Sequence, residues 1–210
     1  MNNQISKQYI LSRIKKAGAL RLESKISLPD MLNPVYKEIQ PSALDCFKNE
    51  LETVSGYCTV CKSEDDLAEK LKQWMSAQNI STLFCKDTTI SSFLKSRHID
   101  YTLDKDKFIS MQAGITGCEF LVARTGSVVI SSAGESGRQM NIFPPTHVVI
   151  AKKEQLVDYP ADALEALQKK YGEVLPSMIS FVSGPSRTAD IEKTLVLGAH
   201  GPKMLHVFIY

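Results

Sequence analysis

Residues 56–103 read GYCTVCKSEDDLAEKLKQWMSAQNISTLFCKDTTISSFLKSRHIDYTL, and the alternation in this stretch decides the fold class. Gly56–Val60 is β-branched and aromatic, as a strand is. Ser63, with Asp66 three residues on, has the spacing of a capping box, and Leu67, Leu71 and Trp74 then recur along one helical face. Ser81–Cys85 reads as a buried strand, residues 88–96 as a short helix and Asp100–Leu103 as a third strand. This βαβαβ rhythm implies an α/β fold whose mostly parallel sheet carries helices on its faces.

Working outward, residues 42–54 have the pattern of another helix. Residues 4–17 place Ile5, Tyr9 or Ile10, Ile14 and Ala17 near helical spacing between Lys and Arg, with Gly18 as a stop signal. Residues 19–40 contain Pro29 and Pro34 and no sustained period, so they read as an extended arm. The expected division is therefore an N-terminal helix and arm over residues 1–40 and a main domain over 41–210. Beyond Lys107, Glu119–Ala123 and Ser127–Ser131 are β-rich and separated only by Arg124-Thr125-Gly126. That gap is too short for a crossover helix and implies an antiparallel hairpin or a sharply bent strand. A Gly-rich loop, Ser132–Arg138, leads through Phe143-Pro144-Pro145 to a strand at His147–Ala151. A helix near 160–171, stopped by Gly172, and strands at 178–182 and Leu205–Tyr210 complete the chain.

Composition excludes several classes. The 210 residues are 43% hydrophobic and 23% charged, ordinary for a globular protein that buries one core. The net charge of +2 is not polarised: residues 1–110 carry 16 basic and 14 acidic side chains, and residues 111–210 carry 9 of each. No electrostatic footprint for nucleic acid or an anionic membrane follows from that balance. The N-terminus has no apolar leader and the sequence no bilayer-length apolar run, so the expected location is cytoplasmic without membrane insertion. Five cysteines suit reduced thiols better than a disulfide framework.

Cys58-Thr-Val-Cys61 is a lone CxxC with no second pair beside it, and Cys118 has no neighbouring base. Both read as small buried residues, and no metal site is assigned. Dinucleotide, P-loop and GxSxG signatures are missing, so no cofactor is assigned either. Two loops carry polar chemistry. In Ser132–Arg138 a flexible backbone stands next to a guanidinium, the equipment for holding a carboxylate or phosphate, although a solvated surface loop would look the same. The denser stretch is Ser183–Pro202, SGPSRTADIEKTLVLGAHGP, directly after a strand, where α/β proteins place their sites. Gly184, Ser186 and Thr188 could cradle an anion, with Thr188 as a helix N-cap. Asp190 and Glu192 would repel that anion, which suits them better to capping, pairing with Arg187 or Arg138, or acid–base work. His200, between Gly198 and Gly201, is the histidine most suited to function. His147 and His206 lie in strand-like runs and read as hydrogen-bonded core residues, and His98 sits at a helix end.

The residues ITGCEFLVARTGSVVIS (115–131), Gly137-Arg138, Phe143-Pro144-Pro145, SGPSRTADIE and Leu197-Gly198-Ala199-His200-Gly201-Pro202, in this order, resemble the LUD domain of the lactate-utilization protein C (LutC/YkgG) family over roughly residues 40–210. The resemblance implies a NagB/RpiA/CoA-transferase-like fold and membership of a cytosolic system that oxidises L-lactate to pyruvate with two iron–sulfur partner proteins. The candidate ligand-binding residues are Thr116, Gly117, Thr125, Gly126, Arg138, Gly184, Ser186, Thr188 and Gly201, and the candidate catalytic ones are Asp190, Glu192 and His200. One departure is Arg124, where the family usually carries Glu. Two alternatives stay open: a stand-alone isomerase or acyl-CoA-transferase-like enzyme using Asp190 or Glu192 as acid/base with Arg138 as anion clamp, and a non-catalytic scaffold.

Overall fold

Helix caps and buried apolar runs generate most of the elements. The computed structural model describes residues 3–19, 38–188 and 196–210. The chain divides into Met1–Glu38 and Ile39–Tyr210. In the first unit the described residues form helix α1, Asn3–Ala19.

In the second unit Ser42 caps α2 (Ala43–Thr53) through the Asp45 N–H, and β1 (Tyr57–Val60) follows. Ser63 accepts from the Asp66 N–H at 3.2 Å while Asp66 Oδ2 accepts from the Lys62 N–H at 2.7 Å, so side chains from both ends of the first turn start α3, Glu64–Ala77. After β2 (Leu83–Cys85), Asp87 caps α4 (Thr88–Ser96) through the Ile90 N–H, and β3 (Tyr101–Thr102) closes the predicted βαβαβ run. Then come β4 (Ala113–Thr116), β5 (Phe120–Val122), β6 (Ser127–Ser131), β7 (Thr146–Ala151) and β8 (Leu156–Val157). Helix α5 (Pro160–Tyr171) starts on a proline, which suits a first turn that needs no N–H there, and ends at Gly172. The last strands are β9 (Ile179–Val182), β10 (Arg187–Thr188), β11 (Val196–Leu197) and β12 (Met204–Ile209).

Six strands form one sheet in the order β1-β12-β7-β4-β2-β3, and every neighbouring pair is parallel. The α/β arrangement expected from the βαβ rhythm is therefore observed. Apolar cover on both faces lets β7 and β12 be almost wholly apolar. On one face Ala113, Ile115, Val148, Ile150 and Phe208 pack with Leu67 and Leu71 of α3 and Ile90 and Leu94 of α4. On the other, Val149, Ala151, Leu205, Val207 and Ile209 pack with Phe47 and Leu51 of α2 and with Leu121, Val128 and Ile130.

Those last three residues belong to a second sheet, β8-β5-β6-β9, covered on its far side by Ala163 and Leu167 of α5. The β5–β6 hairpin forms the centre of this four-stranded layer. Strand β9 pairs antiparallel to β6 in this layer. At the hairpin tip Gly126 adopts φ 57°, and a Cβ there would lie 2.3 Å from Leu51 N, so only glycine lets the turn close against α2. Among the described residues no helix is long and apolar enough to cross a membrane.

Candidate functional site

Strand β9 ends at Val182 and the chain enters the SGPS loop. Gly184 takes φ 87°, and a side chain there would run into the Val54 carbonyl at 2.7 Å. Arg187 Nη2 donates to the same carbonyl and, at 2.8 Å, to Ser55 Oγ, which fixes the loop to the end of α2. The second motif folds back onto the first: the Ser186 N–H donates to the Pro202 carbonyl and the Gly198 N–H to the Ser186 carbonyl, both at 2.8 Å. Backbone bonds, not side chains, therefore bring the SGPS and AHGP segments together.

Between them lies a cleft of about 170 Å³. Gly184, Ser186, His200 and Gly201 line it, together with two residues from other segments, Asn141 and His147. Ile142, Val182 and Leu205 supply apolar wall. The volume falls below the ~300–1,000 Å³ typical of drug-sized ligands, so the occupant it suits has only a few heavy atoms. It opens at the amino ends of β7 and β12, not at the carboxyl ends where α/β sheets usually bind.

Among the described residues, three buried side-chain polar atoms lack a hydrogen-bond partner: Arg97 Nε, Asn141 Oδ1 and His147 Nδ1. Two of the three belong to residues that line this cleft. His147 is fully buried, and its other nitrogen, Nε2, lies 2.8 Å from Thr116 Oγ1. Burial holds the imidazole at about 4, far below its ordinary value, so the ring is neutral at physiological pH. Leaving such groups unpaired costs about 1–3 kcal/mol each, a cost that a polar ligand would remove.

A second cleft sits beyond the carboxyl ends of β2 and β4, where the strand order reverses. Asp87, Gly117, Cys118, Glu119, Lys170 and Tyr171 line it. Here the polar chemistry is already satisfied. Glu119 accepts from Ser131 Oγ at 2.5 Å, Tyr171 OH at 2.7 Å and Lys170 Nζ at 2.8 Å. Burial pushes the Glu119 carboxyl up, but those three bonds outweigh it and hold the group below the usual carboxylate range. Burial raises the Cys118 thiol far above its ordinary value, which disfavours a nucleophilic thiolate.

The other sequence-selected residues are distributed as follows. Thr125 Oγ1 accepts from Ser127 Oγ at 2.7 Å, and Ser127 Oγ lies 2.6 Å from Ser183 Oγ, so a hydroxyl chain joins the hairpin tip to the SGPS loop. Arg138 donates to Ser177 Oγ at 2.6 Å, and its loop-mate Glu135 takes the Thr88 N–H at the start of α4. The charges of that loop thus have partners within the fold, and Arg138 is not among the residues lining the His200 cleft. Thr188, expected as an N-cap, is a strand residue paired with Val196, because the chain stays extended after Ser186. Asp190 and Glu192 lie outside the described residues. Arg124 pairs with Glu50 of α2 at 3.2 Å. Cys58 and Cys61 join clusters on opposite faces of the sheet, and burial pushes the Cys58 thiol up to about 12.

A family model described as the LUD domain matches residues 44–210. The chain belongs to the LUD domain family. The LUD-domain relatives include lactate utilization protein C of Halalkalibacterium halodurans, 36% identical over 90% of both chains. Lactate utilization protein C of Bacillus licheniformis is 40% identical over 42% of this chain, and the matched segment spans 38% of that protein. The LUD fold is also similar to the crystal structure of a DUF162 family protein from Deinococcus radiodurans, with a TM-score of 0.58 and 18% identity over 80% of this chain and 95% of that one.

Proposed function

We propose that this LUD protein serves in lactate utilization, as a component of a system that oxidises L-lactate to pyruvate together with two iron–sulfur partner proteins. Family membership and the names of its relatives support the lactate-utilization part of this reading. The observation that carries a ligand-binding role is the cleft: two motifs distant in sequence meet there, and two of the residues that line it, Asn141 and His147, each hold an unpaired buried polar atom. Among the described residues lining it there is no carboxylate, which suits a small anionic ligand. In this reading the chain binds and presents that ligand, and electrons leave through the iron–sulfur partners.

The test is genetic and biochemical. Deletion should abolish growth on L-lactate as sole carbon source, with growth on pyruvate retained, and affinity-tagged protein should co-purify with iron–sulfur proteins. Normal growth of a clean deletion on lactate would count decisively against the proposal.

A further inference from the structure

We propose that the second cleft, beyond the carboxyl ends of β2 and β4, is a binding site for a small neutral polyol. This site is separate from the His200 cleft and from the function read there. Its first mark is a pair of glycines that the fold does not require. Every other glycine in Ile39–Tyr210 either has positive φ or would bring an added Cβ within 3.0 Å of a neighbouring atom. Gly117 and Gly134 meet neither condition. The nearest atoms to an added Cβ are Ile90 Cδ1 at 3.8 Å for Gly117 and the Ser131 carbonyl oxygen at 4.0 Å for Gly134, ordinary contact distances. Both glycines line this cleft of about 270 Å³. Backbone and packing would accept a methyl group at either, so what glycine provides there is open space for close approach to the main chain.

The second mark is Ser136, on the same loop as Gly134. It is 9% exposed, it lines the cleft, and its hydroxyl makes no hydrogen bond with a described residue. A hydroxyl set so deeply is ordinarily paired. Two carboxylates add spare acceptor capacity. Asp87 Oδ1 accepts from the Ile90 N–H, while Oδ2, 4.0 Å from where a Gly117 Cβ would stand, has no partner among the described residues. Glu119 Oε1 accepts from Ser131 and Tyr171, and Oε2 from Lys170 alone. The charges, by contrast, are already balanced. Glu119 is matched by Lys170, and Asp87 by the amino end of α4, where Glu135 takes the Thr88 N–H. An anion would meet two carboxylates and a helix end that is already filled, and a cation would meet Lys170. A neutral molecule with several hydroxyls donates to the carboxylates and pairs with Ser136 without disturbing that balance. Room for roughly nine water-sized groups, at ~30 Å³ each, matches a polyol of about four or five carbons.

Titration of the full chain with erythritol and ribitol, followed through the backbone amides by nitrogen-15 NMR, tests this. The shifts should saturate and centre on Gly117, Gly134 and Ser136. Tartrate, which carries its hydroxyls on a dianion, and ethanolamine, which carries one on a cation, should bind at least about tenfold more weakly. Gly117→Ala and Gly134→Ala should each leave the melting temperature unchanged or raised, since neither added methyl is crowded, yet lower polyol affinity at least about fivefold. Ser136→Ala should weaken the polyols by about tenfold. If Gly117→Ala melts lower, Gly134→Ala carries the same test on its own. Shifts that never saturate or that spread over the whole surface, tartrate or ethanolamine binding as tightly as the polyols, or lowered melting of both alanine variants would overturn the inference.

Discussion

The Thr116 hydroxyl on β4 lies 2.8 Å from Nε2 of His147 on β7, two residues beyond Gly114, the register partner of His147. The same diagonal recurs across β1 and β12, where Thr59 Oγ1 lies 2.8 Å from Nε2 of His206, whose register partner is Tyr57. The two histidines face opposite sides of the sheet. His206 stacks on Phe208 and Tyr57, and His147 faces the cleft.

These paired histidines make stability depend on pH. Burial holds both rings at about 4 in the folded protein, against an ordinary 6.5. The unfolded chain therefore takes up protons near pH 6.5 that the folded chain refuses until about pH 4. The stabilisation is complete above pH 6.5 and is lost as pH falls through this window. At roughly 1.4 kcal/mol per pKa unit, each histidine accounts for about 2–4 kcal/mol across the whole range. Urea unfolding between pH 7 and 5 should show falling stability in wild type and a flatter profile in the His147→Phe/His206→Phe double variant. A flat wild-type profile would refute the assignment.

Glu119 acts in the opposite chemical sense. Its carboxyl lies below the usual range, so its contribution is present above the ordinary carboxylate value of 4.5 and is lost as pH falls through the lower folded value. Glu119→Gln should cost about 1–3 kcal/mol at pH 7, because Lys170 and two hydroxyl groups lose a charged acceptor. The gap between variant and wild type should narrow at pH 3–4, measured by denaturant midpoint. A constant gap would show that the charge is not what matters.

Gly126→Ala should destabilise by at least about 2 kcal/mol, because the turn needs positive φ and the added methyl meets α2 backbone. Thermal melting checks this. Gly137→Ala provides the contrast: it also has positive φ, but nothing lies within 4 Å of its added Cβ, so its cost should be smaller.

Ser127→Ala should cost about 1 kcal/mol and loosen the SGPS loop, because Ser127 is 2% exposed and joins Thr125 to Ser183. Faster hydrogen exchange at Ser183–Ser186, without a change at α3, is the expected signature. Uniformly faster exchange would point to global destabilisation instead.

The parallel sheet was legible because its strands are apolar runs separated by capped helices: Ser63 and Asp66 mark the start of α3 in sequence and form its cap in space. Strand β4 was not, because Gly114 reads as a loop residue. Its missing side chain makes room for Pro144 and Met140, which a Cβ would meet at 2.6 and 2.8 Å. The division into two sheets was hidden because β9 pairs with β6 across a long separation in sequence, from Ser131↔Ile179 to Val128↔Val182. Four sequence-selected residues, Gly184, Ser186, His200 and Gly201, share one cleft. His147 and Asn141 escaped attention there: a histidine in an apolar strand looks like core. The available clue was its place just after Pro144-Pro145, at the mouth of the strand.

The position of β12 between β1 and β7 has a consequence for how the protein is made. On the ribosome, β2, β3, β4 and β7 can assemble once residue 151 has emerged, but β1 has no partner until Met204–Ile209 follows. During that interval α2 lacks Leu205, Val207 and Ile209, on which Phe47 and Leu51 pack. A nascent chain therefore carries α2 with part of its apolar face uncovered until Met204–Ile209 is made, and closing so long a loop is slow. Segment 43–60 is where a chaperone would engage the growing polypeptide and where a protease would find it.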